Sequence, residues 1–269
     1  PNVTNCEIYD GSSWTEVNDL SRAKNTHGQG GTTTSALAYG GYDGSGASNS
    51  ATSESWNGSN WTEAPSMNTA RATYGGADGA SNTACIAVGG FVNPSTGRTG
   101  DTEIYDGSSW TEVNNLNTAR DETANSGTTT ASICFGGQAP PARVAVAETW
   151  NGSSWTEVGD LNTARANLGR SGTSTSALAF GGEFGPPGKT AATESWNGTS
   201  WTEVADLATV RDKQPGAGAS SSSAIAFGGN NPSNSAVANT EEFSFPPPTA
   251  AILTEGDIFL SGGTTLKGF

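Results

Sequence analysis

The chain has 269 residues, a formal net charge of −14 at pH 7, and only 14% charged residues. Nucleic-acid binding needs clustered Lys and Arg, so this charge predicts no nucleic-acid partner, and it argues equally against anionic membrane surfaces. A membrane-spanning helix needs about 18 or more apolar residues in a row, and the sequence has no such run, so we expect no membrane insertion.

One motif recurs through almost the whole chain. Trp-Thr-Glu occurs five times, at spacings of 47, 49, 45 and 46 residues, and a Gly-Gly pair follows each copy. Two signals that share one period indicate a repeat protein. The motifs begin at Trp14, Trp61, Trp110, Trp155 and Trp201. The chain starts at Pro1 inside a repeat, and we expect it to be a segment of a longer protein.

Each repeat predicts four short β-strands separated by turn residues. A single four-stranded sheet of this size cannot bury both faces, whereas radial packing of several sheets buries them, with the Trp residues between the sheets. In residues 165–207, the predicted elements are a Gly- and Ser-rich strand ending near Gly172, the strand Ser176–Phe180, the pair Gly181-Gly182, the strand Ala192–Trp196, the turn Asn197-Gly198 and the strand Trp201–Val204.

This pattern resembles the kelch family. The residues that carry the resemblance are the double Gly after an apolar strand, the Glu-x-Trp or Glu-x-Tyr strand and the Trp that follows, over roughly residues 5–245. Asn-Gly-Ser-Ser-Trp replaces the longer Asp-Pro hairpin of the commonest kelch form. The Asn-Thr-Ala-Arg and Ala-Phe-Gly-Gly segments are similar to low-charge kelch-like repeats of marine phage and environmental virion proteins. The resemblance implies a β-propeller in a virion or extracellular setting.

The number of strands favours five blades. The sequence offers five first, five second, six third and five fourth strands. We therefore predict an all-β fold with a five-bladed kelch-like β-propeller over residues 1–245, and an incomplete six-bladed ring is the alternative. Strands near Tyr9 and Trp14 are expected to complete the last blade, which begins at Arg211. The strand at Phe243 would then be a duplicate, either displaced or displacing the strand at Tyr9.

A short tail follows the repeats. Residues 246–250 contain three prolines and predict a stiff linker. Residues 251–269 predict a C-terminal β-hairpin, or the start of a further domain, with its turn at Ser261-Gly-Gly263. An isolated hairpin is marginally stable in water, so we expect it to pack on another chain or domain. The segment resembles short hairpins of phage tail and fibre proteins.

The sequence offers little for catalysis. His27 is the only histidine, and the copper oxidases built on a kelch scaffold need two. The three cysteines, Cys6, Cys85 and Cys134, form no CxxC motif, and we expect Cys85 and Cys134 to be free buried thiols. We predict no enzymatic activity, no metal and no cofactor. A carboxylate-based, glycan-acting enzyme is the weaker alternative.

Two charged positions recur once in each repeat, which predicts a contact that stabilises every blade. A Glu stands in each third strand and an Arg in each crossing between blades, so we expect Glu–Arg or Glu–backbone contacts. The residues are Glu7, Glu54, Glu103, Glu148, Glu194 and Glu241, with Arg22, Arg71, Arg120, Arg165 and Arg211.

Function is expected where the blades differ, in the loops after the Gly-Gly pairs. These loops share one face with the crossings and carry the candidate binding residues Tyr42, Phe91, Arg98, Arg143, Phe184 and Lys189. The rings suit sugar stacking, although local packing is an equal alternative. We predict a non-enzymatic structural or adhesion module of a phage virion that binds a host surface glycan or another virion subunit. The alternative is a secreted or cell-surface bacterial carbohydrate-binding propeller.

Overall fold

A computed structural model describes residues 3–43, 49–72, 79–185 and 188–244, together with the backbone of 258–261 and 265–268. Every regular element in these ranges is a β-strand. The described residues contain no helix long and apolar enough to span a membrane. The predicted linker 246–250 and most of the tail lie outside the described residues.

The strands follow one another in a regular order along the chain. An N-terminal hairpin comprises β1 (Cys6–Tyr9) and β2 (Trp14–Val17). Blade 1 and its loop comprise β3 (Lys24–Asn25), β4 (Gly28–Thr32), β5 (Ser35–Tyr39), β6 (Tyr42–Asp43), β7 (Ser53–Trp56) and β8 (Trp61–Ala64). Blade 2 comprises β9 (Gly79–Ser81), β10 (Ala84–Asn93), β11 (Gly97–Tyr105) and β12 (Trp110–Val113).

The second half of the chain repeats this order. Blade 3 comprises β13 (Ala124–Gly127), β14 (Ser132–Phe135), β15 (Gln138–Ala139), β16 (Ala142–Arg143), β17 (Ala147–Trp150) and β18 (Trp155–Glu157). Blade 4 comprises β19 (Gly169–Thr173), β20 (Ser176–Phe180), β21 (Glu183–Gly185), β22 (Gly188–Lys189), β23 (Thr193–Trp196) and β24 (Trp201–Val204). Blade 5 comprises β25 (Gly216–Ser220), β26 (Ser223–Phe227) and β27 (Thr240–Ser244), and the tail hairpin is β28 (Ile258–Ser261) with β29 (Thr265–Gly268).

Five antiparallel sheets in a ring form a five-bladed β-propeller, as the repeat predicts. Blades 1 to 4 have four strands each, in the up-and-down orders β4-β5-β7-β8, β9-β10-β11-β12, β13-β14-β17-β18 and β19-β20-β23-β24. Blade 5 has the three strands β25-β26-β27. First strands of neighbouring blades contact one another, as β4 with β9, β13 with β19, and β19 with β25. Short ribbons, β3-β6, β15-β16 and β21-β22, extend three of the loops that follow Gly-Gly.

The hairpins between third and fourth strands are four-residue loops capped by their first side chain. In blade 4, Asn197 Oδ1 accepts the N–H groups of Thr199 and Ser200, each at 2.9 Å. Gly198 follows with φ +93°, a conformation that glycine adopts without strain. The Asn-Gly and Asp-Gly signals therefore locate these hairpins correctly, and the loop is longer than the two-residue turn that such dipeptides favour.

Aromatic rings fill the space between blades. Each fourth-strand Trp stacks on the third-strand aromatic of its own blade, as Trp196 and Trp201 do with ring centroids 5.3 Å apart. It also packs against the second strand of the preceding blade, because Trp201 lies 4.8 Å from Phe135 of blade 3. Trp110 lies 4.9 Å from Tyr39 of blade 1 in the same way. The Trp repeat is therefore the interblade core, as predicted.

The expected pairing at the end of the ring is wrong. The third position of blade 5 is taken by β27, in which Phe243 lies opposite Ala224 of β26, and not by the strand at Tyr9. β27 follows β26 after the loop of residues 228–239, whereas β1 lies more than 200 residues earlier, so the shorter connection saves about 2–3 kcal/mol of closure entropy. The segment at Phe243 displaces the strand at Tyr9.

The N-terminal hairpin instead lies between blade 5 and blade 1. On one side, Trp14 packs 4.8 Å from Phe227 of blade 5, and Tyr9 Oη donates to Glu242 Oε1 at 3.2 Å. On the other side, Asn18 Nδ2 donates to the carbonyl oxygen of Ser59 in blade 1 at 2.8 Å. The hairpin therefore bridges the two ends of the ring without joining either sheet.

The predicted Glu–Arg ties are present in blades 2 to 5. Both side chains are almost fully buried in blades 2 to 4, where the Glu also accepts backbone N–H groups of the entering crossing, as Glu103 does from Asn68 at 2.7 Å. The pairs are Arg71–Glu103 at 2.6 Å, Arg120–Glu148, Arg165–Glu194 at 2.7 Å and Arg211–Glu241 at 2.8 Å.

Blade 1 has a lysine as its buried cation. Glu54 accepts the backbone N–H groups of Ser21 and Arg22 at 2.8 and 3.3 Å, so the predicted Glu–backbone contact is present. The Arg22 side chain is exposed, and Lys24 is the buried cation. Lys24 Nζ donates to the carbonyl oxygens of Gly40 and Thr52, as Arg211 does to the corresponding carbonyls in blade 5. The repeat-locked position predicted for Arg22 is therefore corrected to Lys24.

Candidate binding face

The variable loops and the crossings lie on one face of the ring, which we call the loop face. Gly90 N–H, within β10, donates to the carbonyl oxygen of Arg120 on the crossing into blade 3, at 3.0 Å. A Cβ on Gly90 would lie 2.6 Å from the carbonyl oxygen of Ala72, so no side chain fits there. The equivalent bonds are Gly41 to Arg71, Gly137 to Arg165 and Gly182 to Arg211, each 2.9 Å.

Three loop cations reach from one blade to the next. The ion pairs are Arg98 Nε with Asp121 Oδ1 at 2.7 Å, Arg143 with Glu183, and Lys189 Nζ with Asp212 Oδ1 at 2.6 Å. The side chains of Arg98 and Arg143 keep 24% and 17% of their surface exposed, whereas that of Lys189 keeps 5%. The cations that the sequence assigns to partner binding are thus engaged within the chain, and only the two arginines retain surface that a partner can touch.

The three candidate aromatic residues differ in exposure. Tyr42 is half-buried on β6, opposite Asn25. Phe91 is also half-buried, and the Arg98 guanidinium lies 5.8 Å from its ring centroid, within range of a cation–π contact. Phe184 is 54% exposed. The six candidates lie on one face but on four different blades, so the structure does not gather them into a single pocket.

The β21-β22 ribbon that carries Phe184 is held from both sides. On β21, Glu183 pairs with Arg143 of blade 3. On β22, Lys189 pairs with Asp212 of blade 5. Two ion pairs to two different neighbours therefore brace the strands that present Phe184 to solvent.

A ring of left-handed residues, which the sequence analysis missed, runs across the loop face. Glu122, Asn167 and Lys213 have φ values of +54°, +55° and +57°. Asn167 N–H donates to the carbonyl oxygen of Glu122, and Lys213 N–H to that of Asn167, each at 2.9 Å. Each residue stands two positions after a repeat-locked Arg, which is the sequence signal that could have located them.

Glu122 has the most unusual environment in this ring. Burial raises the pKa of its carboxyl group, and the charges of Asp121 and Glu183 raise it further. Its Oε2 atom is buried and has no hydrogen-bond partner among the described residues. A carboxyl group with a raised pKa can act as a general acid, so the enzymatic alternative would depend on Glu122.

His27 lies on the crossing into blade 1, against Gly41. Burial lowers the pKa of its imidazole to about 4, and the charge of Lys24 contributes in the same direction. The ring is therefore uncharged at neutral pH, and its Nδ1 atom has no hydrogen-bond partner among the described residues.

We expect the free energy of unfolding to fall as the pH decreases from 7 to 4. Unfolded His27 binds a proton near pH 6.5 and folded His27 only near 4, so the stability present above pH 6.5 is lost as the pH falls through this window. The loss should reach about 3 kcal/mol at most. Denaturant unfolding of the wild type and of His27→Gln across this range measures it. The same pH slope in both proteins would contradict the assignment.

Metal-binding chemistry has no support in the described part of the chain. No group of three or more His, Cys, Asp or Glu side chains there could hold a metal ion. Cys85 and Cys134 are fully buried free thiols, as expected, and burial raises the pKa of Cys134.

The opposite face carries the Asn-Gly hairpins and an open groove between blades 2 and 3. The groove has a volume of about 570 Å³ and is lined by Glu112, Val113, Asn114, Trp150, Gly152 and Ser153. Asn114 Nδ2 donates to the carbonyl oxygen of Ser153 at 2.7 Å and joins the two blades. Trp150 is buried, so its ring offers almost no surface to a ligand in this groove.

No protein-family model matches this chain, and comparison with curated proteins finds no similar sequence. The β-propeller fold therefore rests on the geometry of the sheets. No comparison supports a kelch or virion assignment, so that resemblance stays a prediction from the residue pattern.

Proposed function

We propose that this propeller is a non-catalytic binding module of a phage virion, and that its loop face contacts a host surface glycan or another virion subunit. A propeller with variable loops on a rigid ring fits a binding or protein-interaction module. The virion setting is supported by the phage-like repeats. Virion genes beside the reading frame would support it, and their absence would favour a secreted or cell-surface bacterial propeller.

The observation that carries the proposal is the exposed ring of Phe184 on its braced ribbon. Phe184 and Val3 are the exposed large hydrophobic residues of the described chain. Ion pairs to blades 3 and 5 hold the ribbon before any partner arrives, so little conformational entropy is lost on binding.

An exposed ring suits both proposed partners. A flat ring stacks on the apolar face of a sugar, and a small number of polar groups then fixes the orientation of the ligand. Aromatic residues are also enriched in the core of protein–protein interfaces. Binding assays on glycans and on virion subunits distinguish the two partners.

We expect Phe184→Ala to weaken partner binding by about tenfold or more, because it removes the anchoring ring from a preorganised support. A glycan array identifies a sugar ligand, and biolayer interferometry with that sugar, or with a neighbouring virion subunit, measures the affinity. Asn57→Ala, on the opposite face, is the matched control and should bind like the wild type.

Two results would contradict this proposal. If Asn57→Ala lost binding while Phe184→Ala retained it, the working face would be the opposite one. A measured turnover of any polysaccharide that disappears in Glu122→Gln would overturn the non-catalytic assignment and support the enzymatic alternative.

A further inference from the structure

The hairpin β1-β2 and the outer hairpins of blades 1 to 4 share one four-residue loop, which its first side chain caps. In blade 1, Asn57 Oδ1 accepts the backbone N–H groups of Ser59 and Asn60 at 3.0 and 2.9 Å. In blade 3, Asn151 Oδ1 accepts the two equivalent groups at 2.9 Å each. The five capping residues are Asn57, Asn151, Asn197, Asp10 and Asp106. The same loop therefore surrounds an amide in three places and a carboxylate in two.

The two aspartate hairpins show that a carboxylate fits this loop. Asp10 Oδ1 accepts the N–H groups of Ser12 and Ser13 at 2.8 Å each, and Asp106 Oδ1 accepts two equivalent groups at 2.8 Å. The hydrogen bonds from Ser13 and then from Ser12 lower the pKa of Asp10 to about 2, so this carboxyl group is charged at neutral pH. A charged acceptor forms stronger hydrogen bonds than a neutral one, so a carboxylate in place of the amide keeps the loop intact.

Each asparagine cap is exposed and precedes an exposed glycine, whose backbone nitrogen is a nucleophile. A bond between this nitrogen and Cγ of the asparagine closes a five-membered ring, and glycine has no side chain that shields the nitrogen. Negative charge develops on Oδ1 during such an attack, and in Asn57 two N–H groups already donate to that atom. The loop thus surrounds the side-chain carbonyl with the donors that an oxyanion needs.

Two other asparagines have the same kind of cap without the nucleophile. Asn93 Oδ1 accepts two backbone N–H groups at 2.9 and 2.8 Å, and Asn231 Oδ1 accepts two at 2.9 and 3.0 Å. The residues that follow them are Pro94 and Pro232, whose backbone nitrogens carry no hydrogen. The ring closure is therefore closed to both, and they separate the effect of the cap from that of the glycine.

We propose that Asn57, Asn151 and Asn197 are deamidation sites of the folded chain, and that the hairpin directs the product to aspartate. The glycine nitrogen loses its proton to water and bonds to Cγ. The bond from Cγ to Nδ2 then breaks, and Nδ2 takes a proton from water and leaves as ammonia. Water adds to Cγ of the cyclic imide, breaks the new bond and returns a proton to the glycine nitrogen. Each conversion consumes a water and releases an ammonia, with no oxidation or reduction.

The register of the hairpin favours aspartate over its isomer. Water that adds to the main-chain carbonyl carbon of the imide gives isoaspartate instead, in which Cβ becomes part of the backbone. In blade 1 the pair Trp56–Trp61 fixes both ends of the loop, so an extra backbone atom displaces the N–H groups from the cap. Aspartate restores the two hydrogen bonds that Asp10 makes.

Incubation of the intact chain at mildly alkaline pH tests the proposal. Each conversion adds a negative charge, so three conversions take the net charge from −14 to −17, and native ion-exchange chromatography should resolve up to three successively more acidic species. Peptide mass spectrometry should place the changes at Asn57, Asn151 and Asn197, while Asn93 and Asn231 keep their amides. Equal modification of Asn93 or Asn231 would overturn the proposal. So would three unchanged Asn-Gly sites in the folded chain under conditions that convert them in urea.

The ratio of the two products tests the directing role of the hairpin. An endoprotease that cuts before aspartate does not cut before isoaspartate, and it therefore measures this ratio. We expect aspartate to be the major product in the folded chain and isoaspartate in urea, where no hairpin restrains the imide. The variant Asn57→Asp should melt like the wild type, because its carboxylate accepts the same two N–H groups. An equal product ratio in both states, or a midpoint of Asn57→Asp several degrees lower, would overturn the directing role.

Discussion

Replacing Arg120 by alanine should lower the free energy of unfolding by about 3–5 kcal/mol, the usual cost of leaving a buried charge without its partner. The side chains of Arg120 and Glu148 are both 0% exposed. Arg120 also donates to the carbonyl oxygen of Cys134 at 3.3 Å, and that bond would be lost as well. Guanidinium unfolding followed by tryptophan fluorescence measures the change.

Arg143→Ala is the matched control for this prediction. It also breaks an ion pair, with Glu183, but both side chains are partly exposed, at 17% and 22%, so water can replace part of the contact. We expect a loss of about 1 kcal/mol or less. If the two variants lost the same stability, or if Arg120→Ala melted like the wild type, the repeated Arg–Glu pairs would not be what holds each blade together.

Removing residues 1–17 should open the ring and lower the thermal midpoint by roughly 10 °C, since a lost aromatic anchor costs about 3–5 kcal/mol in a domain of this size. The deletion withdraws Trp14 from Phe227 and Tyr9 from Glu242. It leaves the end blades without the hairpin between them, and exposed strand edges promote aggregation. Differential scanning fluorimetry and light scattering measure both effects.

Two point variants test whether the aromatic contact of the hairpin causes this loss of stability. Trp14→Ala should reproduce most of the stability loss, because its ring makes the main apolar contact with blade 5. Ser12→Ala, at the exposed tip of the same hairpin, should melt like the parent. A truncated chain that stays monomeric with an unchanged midpoint would show that the hairpin does not close the ring.

The architecture could be predicted because the same physical signals occur five times. Trp201 illustrates this. The regular spacing of the Trp-Thr-Glu motif predicts that Trp201 begins a fourth strand, and an aromatic residue repeated at that position predicts a ring packed between blades. The Arg–Glu ties were predictable for the same reason. Blade 1 carries a lysine at this position: Lys24 stands ten residues after Trp14, as Arg71 does after Trp61, and it reaches the same carbonyl oxygens, so the period marks Lys24 and not Arg22.

The closure of the ring could not be predicted from the repeat. The strands at Tyr9 and Phe243 carry equivalent signals, and only the relative lengths of the connecting segments favour Phe243. The order of the strands was enough to predict which face carries the variable loops, but it did not predict which residues the cations in those loops contact. Arg98 and Asp121 meet across two blades, and loops of irregular length give no register from which that contact could be read.

The chain places about half of its positive charge in its interior. Of the eleven Lys and Arg residues whose burial the structure describes, six are buried, namely Lys24, Arg71, Arg120, Arg165, Arg170 and Arg211. The surface instead displays a recurring acid on β2 and on the fourth strands, at Glu16, Glu63, Glu112, Glu157 and Glu203. A trypsin-like protease therefore meets few of its cleavage sites on the folded ring, whereas a glutamate-specific protease meets one on each of these strands. Tryptic cleavage at the buried sites consequently reports the opening of a blade, and its rate measures how often that blade unfolds.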